Sequence, residues 1–166
     1  MESMQSQMSE FRDQLKRGVI QKAYRGLMDF MLGLKNHLAN KFPEFTVTGS
    51  LYTGYMDMTY FSVLPASLKD RDLKIAIVFN YDAFCFEVWL SGKNKQVLEK
   101  YWKLLQKSQW DKYKLVEPGK GVDSILEHVL AAHPDFGDLD ALTEQIEQGT
   151  LEFIQDIEKF LASVDP

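Results

Sequence analysis

Hydrophobic positions in the middle of the chain alternate with the period of two that a β-strand imposes. Tyr55–Leu64, Leu73–Phe79 and Phe84–Leu90 read as three consecutive strands. Asn80-Tyr81-Asp82-Ala83 supplies turn residues between the last two, which predicts an antiparallel hairpin with Phe79 opposite Phe84. One face then collects Leu73, Ile75, Ile77, Phe79, Phe84, Phe86, Val88 and Leu90; the other collects Lys74, Ala76, Val78, Cys85, Glu87 and Trp89. A slip of one residue would mix these sets, so their separation argues for a loop of even length. In the first strand Met56, Met58, Tyr60 and Leu64 are expected on the apolar face. Tyr55, Asp57, Thr59 and Phe61 are expected on the side of Glu87 and Trp89. Both sides are fairly apolar, so helices are expected over much of each.

Outside this stretch the period changes to that of helices. Ile20, Tyr24, Leu27, Met31, Leu34 and Leu38 recur at spacings of four and three, widened by Ala23 and Phe30, and predict one long core-facing helix ended by Pro43. Before it, Ser9 is expected to cap a short helix through Phe11 and Leu15 that Gly18 interrupts. Phe45–Ser50 is expected as a short edge strand. After Leu90, a helix carries Val97, Leu98, Tyr101, Trp102 and Leu105, and Trp110–Val116 is irregular or a short strand. Asp123 or Ser124 is expected to cap a helix with Ile125, Leu126, Val129 and Leu130, and Asp138 the next, with Leu139, Leu142 and Ile146 inward. Gly149 is expected to break that helix and Thr150 to cap a last one with Phe153, Ile154, Ile157, Phe160, Leu161 and Val164. The order gives an α+β class: an antiparallel meander of three or four strands packed with a long N-terminal helix and several C-terminal helices. Residues 1–8 read as a disordered lead-in and 9–166 as a single domain.

Composition narrows the class. With 166 residues, 45% hydrophobic and 13% aromatic, the chain suffices for one real core. No apolar run approaches the ~20 residues of a membrane span, and the polar start lacks a secretory signal. A single cysteine, Cys85, excludes an internal disulfide and suits a reducing cytoplasm. The net charge of −5 is laid out unevenly: Lys93–Lys120 holds eight lysines, whereas acids dominate from Asp135 onward. Lysines interleaved with Tyr101, Trp102, Trp110 and Tyr113 would suit nucleic acid. The absence of arginine there argues against it, and docking on the acidic C-terminal helices is the simpler expectation.

Candidate chemistry is sparse. No glycine-rich phosphate loop appears, and His37, His128 and His133 form no ligating pair at a spacing of three or four. No cofactor, metal set or catalytic residue is therefore assigned. Asp57 between methionines and Glu87 beside Trp89 are acids inside apolar strands, costly unless paired or solvated. In the expected register both face the same side of the sheet as Lys74, Tyr55 and Trp89. Tyr55, Asp57, Lys74, Glu87 and Trp89 are thus a candidate pocket for a small polar ligand, with a Lys74–Glu87 ion pair as the structural alternative. A hydrolase or nuclease-like use of Asp57 and Glu87 is the enzymatic alternative; nucleases of the restriction-enzyme type want Glu-x-Lys, and here Trp89 stands two after Glu87.

The strings Tyr55-Met56-Asp57-Met58-Thr59-Tyr60-Phe61, Leu73–Phe79 and Phe86–Leu90 resemble an uncharacterised bacterial domain family of unknown function, over most of the chain after Ser9. The resemblance implies a small bacterial cytoplasmic protein that stands alone, and no activity. The expectation is a binding or interaction domain rather than an enzyme.

Overall fold

The alternating segments pair into an antiparallel sheet in a computed structural model that describes residues 1–47 and 49–165. Among the described residues the sheet has six strands in the order β1-β2-β3-β4-β6-β5. They are β1 (Phe45–Thr46), β2 (Met58–Pro65), β3 (Leu73–Asn80), β4 (Cys85–Gly92), β5 (Lys114–Leu115) and β6 (Ser124–Ala131). The helices are α1 (Met4–Arg17), α2 (Val19–Lys41), α3 (Ala66–Lys69), α4 (Lys95–Ser108) and α5 (Leu139–Val164). None of the described helices is long and apolar enough to cross a membrane.

The β3–β4 hairpin keeps the expected faces through a different loop. Phe79 pairs with Phe86 and Asn80 with Cys85, so the loop is Tyr81–Phe84. Moving a four-residue loop by one position shifts each pairing by two, which leaves every side chain on its original side. Only Phe84 leaves its face, entering the turn at φ 52°. Leu73, Ile75, Ile77, Phe79, Phe86, Val88 and Leu90 are all buried.

The faces of β2 are the reverse of those expected. Thr59 pairs with Phe79, Phe61 with Ile77 and Val63 with Ile75, so the odd-numbered residues enter the core. Met58 and Tyr60 lie on the other side, with Trp89. Alternation in β2 carried little contrast because both sets are apolar. Buried Thr59 is tolerated because its hydroxyl donates to the Thr53 carbonyl (2.8 Å) and bonds the Tyr81 hydroxyl (2.7 Å).

Helices α2 and α5 cover the core face. Phe30 of α2 meets Phe86 edge-on at 5.6 Å. Met31, Leu34 and Leu38 are buried, whereas Leu27 is only partly so. On α5, Leu142, Ile146, Phe153, Ile154, Ile157 and Leu161 form the buried stripe. Gly149 does not break α5: a Cβ there would lie 2.6 Å from Leu130 Cδ2, so the glycine lets one continuous helix approach β6 closely. Asp138 caps α5 as expected, accepting from Ala141 N at 3.1 Å.

Two other expectations fail for identifiable reasons. Ser124–Ala131 is a strand, not a helix. Its apolar positions fit either period over so short a run, and pairing satisfies the β4 edge that would otherwise be open. Helix α1 starts at Met4 with Ser3, not Ser9, accepting from Ser6 N, so residues 4–8 belong to it. Gly18 does end that helix. Of the expected edge segment Phe45–Ser50, Phe45 and Thr46 pair with Pro65 and Leu64, and Thr48 lies outside the described residues.

An ion cluster around buried Glu147 joins the two long helices, with Lys41 and His37 at the surface. Glu147 of α5 accepts from His37 Nε2 (2.8 Å) and from Lys41 Nζ (2.6 Å), both on α2. Burial raises its pKa, but the bonds from His37 and Lys41 outweigh burial and leave it below the usual 4.5. A carboxylate with a lowered folded pKa contributes stability above its unfolded value and loses it as pH falls through the folded one. The midpoint of urea unfolding is therefore expected to drop below ~pH 4.5, and Glu147→Gln to flatten that drop. An unchanged slope would remove Glu147 from the acid response.

Candidate functional site

The face of the sheet away from α2 and α5 carries an open cleft of ≈ 310 Å³. Tyr60 on β2, Lys74 on β3 and Trp89 on β4 form its floor, and Lys93, Lys95 and Asp123 its rim. Strand alternation places the floor residues: Tyr60 pairs with Val78, Lys74 with Ser91 and Ala76 with Trp89, all on one side. The rim follows from the chain after β4. Ser91-Gly92-Lys93-Asn94 leads straight into α4, where Asn94 Oδ1 accepts from Val97 N at 3.0 Å. Gly92 sits so close that a Cβ would be 2.8 Å from Leu98 N.

Three ammonium groups and one carboxylate give the cleft local positive charge on a chain whose net charge is negative. Among the described residues these lysines make one ion pair, Lys93 with Asp72, exposed and at 3.9 Å, which contributes little. Burial, then Tyr52 and Asp123, push the Tyr60 hydroxyl above its ordinary range, so it stays a neutral donor. The Tyr52 ring packs against Tyr60 at 4.9 Å.

Of the five expected pocket residues, Lys74 and Trp89 line the cleft and the other three do not. Glu87 is buried behind Trp89, whose indole N–H donates to Glu87 Oε2 at 3.1 Å; Asn80 Nδ2 donates to the same oxygen at 3.4 Å. It makes no ion pair with Lys74, because Glu87 pairs with Val78, four residues or ~13 Å along β3. Asp57 is exposed and precedes β2. Its Oδ1 accepts from Tyr55 N at 2.9 Å, and that bond, with another from Met58, holds the carboxyl below its usual range. Tyr55 is 91% exposed. Asp57 and Glu87 are thus not brought together as an acid pair. Among the described residues no group of three or more His, Cys, Asp or Glu could hold a metal ion. Cys85 is buried, and burial followed by Glu87 pushes its thiol up, away from reactivity.

The lysine-rich stretch docks on α5 at Lys112, which meets Asp156 at 2.7 Å beside the Tyr113 hydroxyl. The remaining lysines are exposed and make no ion pair with α5 among the described residues. Their aromatic neighbours turn inward: Tyr101 and Tyr113 are buried, and Trp110 stacks on Phe160 at 4.7 Å.

A second cavity, of ≈ 530 Å³, lies at the opposite end of the core face and is almost wholly apolar. Ile20, Leu27 and Phe30 of α2 form one wall; Phe84, Phe136 and Leu139 form the other. The strand pattern conceals it: Phe84, expected on the apolar face of a strand, lies instead in the β3–β4 turn, 60% exposed, beside Phe136 ahead of α5.

The architecture defines an α+β protein, with five helices and an open six-stranded antiparallel sheet among the described residues. The chain belongs to the family described as Domain of unknown function (DUF7000), which matches residues 4–161. No curated protein and no solved structure matches the chain.

Proposed function

We propose that this domain is a binding module of the reducing cytoplasm that holds a small, flat organic anion in the Tyr60–Trp89 cleft, without catalysing its conversion. The observation that carries this reading is the convergence of Lys74, Lys93 and Lys95 on two aromatic residues of one sheet face. Ammonium groups attract a carboxylate or phosphate, and an aromatic ring offers a stacking surface. Glu87 pins the Trp89 indole by its edge, which lowers the entropy lost on stacking. It is a positioning residue in this reading. Ser91 and Asp123 also line the cleft, but among the described residues neither side chain hydrogen-bonds or ion-pairs with Lys74, so no nucleophile is held against a base there, which favours binding over chemistry.

Calorimetric titration with a nucleoside monophosphate, benzoate and inorganic phosphate tests this. The two flat anions are expected to bind more tightly than phosphate, and Lys74→Ala to weaken them about tenfold, equivalent to ~1.4 kcal/mol. Asp57→Asn is expected to leave affinity unchanged. Absence of heat from all three anions at millimolar concentration, or indifference to Lys74→Ala, would overturn the reading.

A further inference from the structure

We propose that two copies of this chain associate about a two-fold axis, with α1 of each lying in the apolar groove of the other. The first observation is that α1 has no buried residue. Met4, Met8, Phe11 and Leu15 nonetheless fall on one face at spacings of four, three and four, the anchor pattern of a helix that lies in a groove. Met4 is 71% exposed, and Met8 and Phe11 are each 46% exposed. The family match begins at residue 4, the first residue of α1, so this unpacked helix is part of the shared domain rather than an appendage.

The second observation is the groove between α2, the β3–β4 turn and the start of α5. Ile20, Phe84, Phe136 and Leu139 are between 41% and 60% exposed in it. A helix cannot fold back onto its neighbour through a single linking residue, since helical hairpins use loops of about 2–5 residues. Gly18 alone joins α1 to α2. A chain therefore cannot place its own α1 over the groove that its α2 lines, but a second copy can.

Charge complementarity selects that occupant. Asp82, Asp135, Asp138 and Asp140 are exposed, flank the groove residues Phe84, Phe136 and Leu139 in sequence, and meet no cation among the described residues. Helix α1 carries Arg12, Lys16 and Arg17 against Glu10 and Asp13; Arg12 and Lys16 meet Asp13 of their own helix at 3.7 and 3.6 Å, and Arg12 also donates to Ser9 Oγ at 3.5 Å. The same chain thus presents an amphipathic helix whose last turn is basic and an apolar groove whose turn-side wall is flanked in sequence by acids, while the α2 wall carries exposed Lys22 and Arg25. A two-fold arrangement satisfies both twice and closes without further growth.

Sedimentation equilibrium of the full chain at up to ~100 μM is expected to give twice the 19.2 kDa of one chain. Two variants separate the halves of the contact. Met8→Glu with Phe11→Glu alters a helix that buries nothing, and Phe84→Glu alters a turn residue that is 60% exposed. Each is expected to weaken association at least about tenfold with unchanged far-UV circular dichroism. Mixing the two variants is expected to restore a heterodimer through the one intact helix–groove contact. A monomeric wild type at that concentration would overturn the proposal. So would unchanged association in Phe84→Glu, which would mean that α1 pairs with α1 or that a foreign helix is the groove's occupant. Anion binding in the sheet cleft uses neither surface, so that reading stands or falls separately.

Discussion

Replacing Phe86 by alanine is expected to lower the free energy of unfolding by about 3–5 kcal/mol, read from the midpoint of urea denaturation at constant slope. Phe86 is fully buried on β4, between two paired strands. Its ring meets Phe79 at 5.0 Å, Phe30 of α2 at 5.6 Å and Phe136 before α5 at 6.1 Å. It therefore joins the sheet to α2 and to the segment that leads into α5, and no single neighbour can move to fill the space it leaves. Phe86→Leu retains most of the volume and is expected to cost under about 1.5 kcal/mol. A cost below ~2 kcal/mol for the alanine variant would mean that the aromatic cluster collapses into the gap, and that the adjoining groove is more plastic than its walls suggest.

Much of this core was legible because its strands had contrast. In β3 and β4 one set of alternate positions is wholly large and apolar while the other includes Lys74 and Glu87, and an error in the loop could not exchange them while its length stayed even. In β2 the two sides were equally apolar, and the reading fell to the wrong one. What settles β2 is Thr59, whose hydroxyl finds partners only in the folded chain. Strand β6 failed for a related reason: Ile125, Leu126, Val129 and Leu130 suit a helix as well as a strand, and the deciding fact, the free edge of β4, is tertiary. Gly149 looked like a breaker because its neighbour Leu130 is nineteen residues away in sequence.

The cleft was half legible for the same physical reason. Lys74 and Trp89 share a face by strand period, so sequence alone united them. Lys93, Lys95 and Asp123 come to the rim through the turn into α4 and the loop before β6, which no period describes. Tyr60 was lost with the reversed face of β2. Asp57 drew attention as an acid among apolar residues, yet its chemistry is local.

That local role makes Gly54→Ala the second large expectation, a loss of about 2–4 kcal/mol in unfolding free energy. Gly54 has φ 72°, where any side chain is strained by roughly 1–2 kcal/mol. A Cβ at Gly54 would also lie 2.0 Å from the carbonyl oxygen of Met58 and 2.7 Å from Asp57 Oδ1. Those atoms cannot retreat cheaply. Met58 begins β2 and pairs with Asn80, and the Asp57 carbonyl accepts from Tyr81 N at 3.1 Å, tying the turn to the hairpin beside it. Asp57 Oδ1 in turn holds Tyr55 N, and Met56 between them already stands at φ 61°. Gly121 supplies the control, because its φ of 77° carries the same backbone strain while nothing lies within 4 Å of its Cβ position. Gly121→Ala is expected to cost about 1–2 kcal/mol, the strain alone. The difference between the two midpoints then measures the steric contribution at Gly54. Equal costs would show that the turn yields, and that Asp57 locks it less firmly than its bonds imply.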